Sequence, residues 1–291
     1  MALRYAVHAY AWTSSWSNDD LWIIDHAKEL GLDAVEIPLM EPDKVDAAAI
    51  GERARAHGLE VLASLALPEG ADPAHEDPEI RRRGLELLVR CIDLAADMGS
   101  SILTGVVYSA IGRRIDRRPD EGDYLRSADV LREAARHAQT RGVTIGIEAI
   151  NRYETFLVNT TAQALRLRAL IGEPNVGVHL DAYHMNIEED DFYAATLSAV
   201  PHLAHFHLSE SHRGIPGRGT VDWDGIMRAL ADGSYCGLVG LEAFAGISEA
   251  MRAATCIWRD LAPDSDTIVR EGLAYLKAVE HKYFPIETRP A

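Results

Sequence analysis

Eight short, nearly continuous apolar runs punctuate the chain, and between them lie amphipathic stretches whose apolar residues return every three or four positions. The first kind reads as a strand buried on both faces, the second as a helix laid over it. The runs are Ala6–Trp12, Ala34–Leu39, Glu60–Leu67, Ser101–Val107, Thr144–Glu148, Val176–Asp181, Leu203–His207 and Leu238–Glu242. Helices are predicted over Asp19–Leu30, Val45–His57, Glu79–Met98, Tyr124–Thr140, Thr161–Ile171, Phe192–Val200, Trp223–Ala231 and Thr267–Val279. Ser17 or Asn18 caps the first, and Gly31, Gly58, Gly99 and Gly142 stop the first four. Strand and helix thus alternate eight times at close to the roughly 30 residues one such unit needs. An α/β fold with a parallel sheet closed into a (β/α)8 barrel follows. The 291 residues suit its usual length of about 250 plus loops, as one domain over 1–291. An open, doubly wound sheet is the rival architecture.

The last four runs favour closure. Each ends in a side chain able to hold a metal: Glu148, Asp181, His207 and Glu242, at separations of 33, 26 and 35 residues. An unpaired buried charge costs several kcal/mol, so such groups at the ends of core strands imply a cavity shared between them. In Ile147-Glu148-Ala149-Ile150-Asn151-Arg152-Tyr153-Glu154, a carboxylate, an amide, a guanidinium and a second carboxylate follow the strand, and all four are expected to face that cavity. Strand parity puts Gly146, His179, His205 and Gly240 one layer below the four candidate ligands, inside the barrel. His179 and His205 are read as interior hydrogen-bonding residues rather than ligands. Glu36 also ends a strand on the inner face; orienting a ligand, binding substrate and packing against a rim arginine all stand open for it. Three carboxylates and an imidazole form an oxygen-rich set for one divalent ion, with Mn2+ first and Co2+ or Mg2+ as alternatives.

Charge and cysteine usage narrow the partners. Lys and Arg number 29 against 45 Asp and Glu, a net charge of −16, which opposes a nucleic-acid partner. No membrane-spanning run or signal core is visible, so a soluble cytoplasmic protein is expected. Cys91, Cys236 and Cys256 are odd in number and widely spaced, and are expected to be reduced core thiols. Three long rim loops, Pro68–Pro78, Ser109–Asp123 and Ala243–Asp266, are candidate lids or oligomer contacts. Tyr10, Trp12 and Trp16, near the first strand end, could supply an apolar wall to a ligand, with barrel packing as the alternative for at least one. Arg213, Gly214, Gly217, Arg218 and Gly219 follow the seventh strand, where barrels often bind phosphate.

The segments EAINRYE, HLDAYHMNIEE, HFHLSESHRG and GLEAF resemble those of the ketose 3-epimerases, the D-tagatose and D-allulose (psicose) 3-epimerase family. Similarity runs from VEIPL at Glu36 to IWRDL at Arg259, nearly the whole chain. The resemblance implies a xylose isomerase-like TIM barrel, metal held by Glu148, Asp181, His207 and Glu242, and proton transfer by Glu148 and Glu242. It further implies that Glu154, His184 and Arg213 contact the sugar, with His184 in the loop above the metal, and that the chain forms a homodimer or homotetramer. An aromatic residue of some relatives is replaced near Ile111, which bears on the preferred sugar. The expected reaction is inversion at C3 of a free ketose of the D-allulose/D-fructose, D-tagatose/D-sorbose or L-ribulose class. Rival readings are a metal-dependent aldose-ketose or hydroxypyruvate isomerase, a metal-dependent phosphodiesterase and a non-catalytic sugar-binding barrel. A hydrogen next to a ketone is too weakly acidic to leave unaided, so a Lewis-acid ion and a positioned base act together.

Overall fold

In a computed structural model of the protein, eight parallel strands pair in chain order and the eighth closes on the first. The structure describes residues 2–244 and 247–284. The strands are β1 Arg4–His8, β2 Ala34–Pro38, β3 Glu60–Ala66, β4 Ile102–Val106, β5 Thr144–Glu148, β6 Val176–Asp181, β7 Leu203–His207 and β8 Leu238–Leu241. Outside them lie α1 Trp22–Glu29, α2 Ala47–His57, α3 Pro78–Asp97, α4 Glu121–Thr140, α5 Thr161–Ile171, α6 Ala182–Glu188, α7 Phe192–Ala199, α8 Trp223–Asp232, α9 Glu249–Thr255 and α10 Ser265–Glu280. Among the described residues, no helix is long and apolar enough to cross a membrane.

Local chemistry explains where the elements depart from the predicted ranges. Strand β1 stops at His8 rather than Trp12 because His8 Nδ1 accepts the Tyr10 N–H at 3.1 Å and turns the chain into a 3-10 segment over Ala9–Ala11. Helix α4 begins before Tyr124, at Glu121, because Asp120 and Asp123 accept each other's backbone N–H groups in a capping box. Two short helices were not anticipated. Asp181 caps α6 through the Tyr183 N–H at 2.8 Å, so His184 stands on a helix and not in a loop. Ser248 caps α9 inside the third long loop. The cysteines also differ from expectation: all are free, but only Cys91 is buried, while Cys236 and Cys256 are exposed.

The barrel interior is layered, with apolar residues at the bottom and polar ones at the top. Ala6, Ala34, Leu62, Ile102 and Leu238 form a separate buried cluster closing the lower end. Above it side chains alternate with absences of side chains. A Cβ at Gly146 would lie 2.6 Å from Thr104 Oγ1, so glycine there lets Thr104 reach His179 Nδ1 at 2.7 Å. At the rim, the first two long loops are fastened together. The Ile111 N–H donates to Leu67 O at 2.9 Å, and Arg113 bridges buried Asp72 and Glu76, both at 2.9 Å.

Candidate metal and substrate site

Closure brings the four strand ends to one mouth of the barrel. Ligand-capable atoms of Glu148, Asp181 and His207 lie within 4.8 Å of one another. Among the described residues His207 Nδ1 is buried without a hydrogen-bond partner, and it faces Glu148 Oε1 at 3.9 Å and Glu242 Oε2 at 3.8 Å. A buried nitrogen turned toward carboxylates, with no donor or acceptor of its own, is satisfied by a cation seated between them. The residues present therefore fit a divalent ion. Arg213 engages two of the four carboxylate and imidazole groups, donating to both Asp181 and Glu242.

Electrostatics at this mouth reflect burial opposed by pairing. Burial pushes the Glu148 carboxyl up to about 8; the neighbouring Asp181 charge adds to this, and His207 and Arg213 oppose it. Burial alone would lower the His207 imidazole, but the charge and hydrogen bond of Glu36 outweigh it and hold it up to about 9. His184 is pushed down to about 4 by burial and then by Arg213, with Asp181 opposing. It is a neutral imidazole at pH 7.

The segment after β5 does not send all four polar groups inward. Arg152 turns out to solvent, where it grips Glu188 through Nε at 2.9 Å and Nη2 at 2.8 Å. The other three belong together. Asn151 donates from Nδ2 to Glu154 Oε1 at 2.7 Å, and both its backbone N–H and its Nδ2 approach His184 Nδ1, at 3.1 and 2.9 Å. His184 Nε2 is thereby left facing Arg213 Nη2 at 3.3 Å and Asp181 Oδ2 at 3.8 Å. Glu154, His184 and Arg213 thus stand along one wall, with Asn151 as a joint that sequence reasoning placed in the site but gave no task.

Arg213 is held in the left-handed region at φ 63°. It donates from Nη1 to Asp181 Oδ2 at 3.2 Å and to Glu242 Oε2, with its guanidinium over the rings of Tyr183 and Phe244 at 4.1 and 4.8 Å. The loop that carries it is wrapped around Glu210, a residue sequence reasoning missed. Buried Glu210 accepts from the N–H groups of Ser211 and Gly217, both at 2.8 Å, from that of Val221 at 3.3 Å and from Trp223 Nε1 at 3.0 Å. Its carboxylate takes up backbone N–H groups of this loop, that of Gly217 among them, and Arg218 points away to pair with Glu271 at 2.5 Å. Burial raises the Glu210 carboxyl, but these four donors outweigh it and bring it below the ordinary value. Glu210→Gln is expected to lower unfolding free energy by about 1–3 kcal/mol for each donor left unsatisfied, read as a shift of the urea midpoint at neutral pH. Because the folded value lies below the unfolded one, this contribution is complete above the unfolded pKa, about 4.3, and disappears as pH falls through the folded value. The gap between wild type and variant should close in acid.

The aromatic and rim candidates separate. Tyr10 stacks beside His8 and Phe244, with centroids at 4.3 and 5.6 Å, and Trp16 is buried with its indole N–H unpartnered. Trp12 instead faces outward, against Trp22 and His26, and donates to Asp266 at 2.9 Å. Ile111 lines a cavity of about 510 Å3 with Asp72, Ile80 and Arg113, and the adjoining Gly112 N–H donates to Glu154 O at 2.7 Å. Among the described residues, Glu36 meets no rim arginine. Buried interior imidazoles surround its carboxylate, and they lower its pKa against the effect of burial.

An acidic cluster with one imidazole at the C-terminal mouth of a closed parallel barrel defines a class, and residues 24–279 match the family model described as a xylose isomerase-like TIM barrel. Within that class, the chain is 34% identical over 288 residues to a ketose 3-epimerase of Arthrobacter globiformis, covering 96% of this chain and 99% of that one. It is also 34% identical to the L-ribulose 3-epimerase of Methylomonas sp. over 278 residues, 94% of this chain and 97% of the relative. The crystal structure of D-allulose 3-epimerase from Methylomonas sp. in complex with D-allulose superposes with a TM-score of 0.90 at 33% identity, over 95% of this chain and 97% of that one. The chain belongs to the xylose isomerase-like barrels and, among them, to the ketose 3-epimerases, which are carbohydrate isomerases.

Proposed function

We propose that this barrel inverts C3 of a free ketose of the D-allulose/D-fructose, D-tagatose/D-sorbose or L-ribulose class, with one divalent ion per subunit. The ion is Mn2+ before Co2+ or Mg2+, and the working form is a cytoplasmic homo-oligomer of one-domain subunits. The observation that carries this reading is the unpartnered His207 Nδ1 facing Glu148 and Glu242 beside Asp181. Glu148, Asp181, His207 and Glu242 would hold the ion, which when bound supplies Lewis-acid stabilisation of charge on the sugar oxygens, worth several kcal/mol.

The chain's own residues supply the rest. Inversion requires that a proton leave C3 from one face and return on the other, so two carriers are needed. Glu148 from β5 and Glu242 from beyond β8 each bring one carboxylate oxygen near the same nitrogen, at 3.9 and 3.8 Å. One takes the C3 proton while the other delivers its own. Arg213 and neutral His184 donate to sugar hydroxyls and to the oxygen on which charge develops, and Glu154 accepts from a hydroxyl. The internal carboxylate of Glu210 already takes the N–H groups of Ser211 and Gly217, donors that a phosphate on this loop would use, which favours an unphosphorylated substrate.

Two measurements test this. A panel of ketoses incubated with Mn2+ in D2O should give products inverted and deuterated at C3 by NMR. Deuterium at C1 or C2 would point instead to an aldose-ketose isomerase. Secondly, Glu148 and His207 hold protons at neutral pH in the metal-free chain, with values of about 8 and about 9. A cation needs both sites deprotonated, so Mn2+ affinity should rise from about pH 6 to about pH 9 with proton release, read by titration calorimetry in buffers of different ionisation enthalpy. Binding that is independent of pH over that span would contradict the assignment of these two groups.

A further inference from the structure

Beneath the rim carboxylates the barrel interior holds another acid, shut away from any sugar. Glu36 on β2 is wholly buried, and its Oε2 accepts from His207 Nε2 at 2.8 Å and from His205 Nε2 at 3.1 Å. Its Oε1 lacks a hydrogen-bond partner and lies 3.7 Å from the Nε2 of His8, the residue in register with it on β1. Among the described residues no lysine or arginine pairs with it. A buried carboxylate held only by imidazoles is weak evidence of a structural role, since replacing such a whole group together by apolar side chains of similar volume is often neutral or stabilising.

We propose that Glu36 is a positioning residue for the metal site: by accepting the Nε2 proton of His207 it fixes the tautomer and plane of that ring, and so makes Nδ1 the nitrogen presented to the ion. The inference rests on the reading of His207 as a ligand. A neutral imidazole has one donor nitrogen and one acceptor nitrogen, and a carboxylate can only accept. With Nε2 donating to Glu36, the lone pair falls on Nδ1, the atom that faces Glu148 at 3.9 Å and Glu242 at 3.8 Å. A carboxylate behind the ring also makes Nδ1 more basic and adds negative charge beneath a dication.

The surroundings are arranged to let this contact form. Strands β2 and β7 are not neighbours, so Glu36 reaches His207 across the interior and needs free space on β8. Gly240 supplies it. A Cβ at position 240 would lie 2.8 Å from His205 Nε2 and 3.2 Å from His207 Cδ2, displacing both rings from the carboxylate. His8 is itself oriented. Its Nδ1 accepts the Tyr10 N–H, which leaves Nε2–H directed at Ser64 Oγ, 3.0 Å away, on the side of Glu36 Oε1.

The test joins metal affinity, fold stability and the identity of the bound nitrogen. Mn2+ titrations followed by the EPR signal of the free ion should show binding about 10- to 100-fold weaker in Glu36→Gln and Glu36→Leu than in wild type. In urea, metal-free Glu36→Leu should lose stability because it leaves buried imidazole N–H groups unpaired. Glu36→Gln, whose amide oxygen still accepts, should stay close to wild type in stability while binding the metal more weakly, a split that a merely structural role excludes. In Mn2+-loaded wild type made with histidine labelled at 15Nδ1, pulsed EPR should find the directly bound nitrogen to be Nδ1. Binding through Nε2, or wild-type Mn2+ affinity in both variants, would overturn the inference, and the labelling result decides it even if a variant does not fold. If wild type bound no divalent ion at all, the metal reading itself would fall, which is distinct from tight binding by wild type and variants alike.

Discussion

Glutamine in place of Glu148 or Glu242 is expected to abolish inversion of the ketose, with turnover lowered by at least the roughly 10²- to 10⁴-fold that a positioned acid-base group contributes. The two variants should nevertheless differ from each other. With one carrier left, the epimer whose C3 hydrogen faces that carrier can still lose it and take back deuterium on the same face, without inversion. Glu148→Gln and Glu242→Gln should thus each retain slow exchange in one epimer, and not in the same one. Proton NMR in D2O with the two epimers supplied separately reads this directly. Parallel Mn2+ titrations show how much of the loss comes from weakened metal holding. Full epimerisation by either variant would remove that residue from proton transfer.

Stripping the metal is the other change of large expected effect. Exhaustive chelation should eliminate turnover, and Mn2+ should restore it. Rigorously metal-free protein that works undiminished would refute the proposed chemistry. The stripped chain should stay folded, because Arg213 donates to Asp181 and Glu242 and so offsets part of the carboxylate repulsion. Mn2+ present at 100 times its dissociation constant should then add about 2.7 kcal/mol of stability, seen as a rise in melting temperature that depends on metal concentration.

The barrel itself was legible because both of its signals are local. Apolar runs mark strands buried on two faces, and glycines such as Gly58, at φ 64°, mark where helices stop. The meeting of Glu148, Asp181 and His207 was legible for a related reason. Once strands are parallel and the sheet closed, position along a strand fixes height in the barrel, so equivalent ends converge. Contacts across the interior were hidden. Glu36 and His207 are 171 residues apart and on strands that do not pair, so nothing along the chain indicates that they bond. Glu210 was missed because one polar residue in SESHRG looks like its neighbours, and only the folded loop shows four donors turned on it. Arg152 was misjudged because alternation of faces ends with the strand. Tyr153 and Glu154 sit in a turn closed by the Glu154 N–H on Asn151 O at 3.0 Å, and the side chains there no longer follow strand parity.

The joint at Asn151 limits how such an enzyme can diversify. One amide secures both Glu154 and His184, so neither can be exchanged without loosening its companion. Altered sugar preference in descendants of this chain must then accumulate on the bank next to it, around Ile111, which meets the joint through the backbone of Gly112 and whose own side chain is exposed. Libraries randomised at that bank should yield working catalysts with new tastes, while libraries randomised at the joint should yield mostly inert ones.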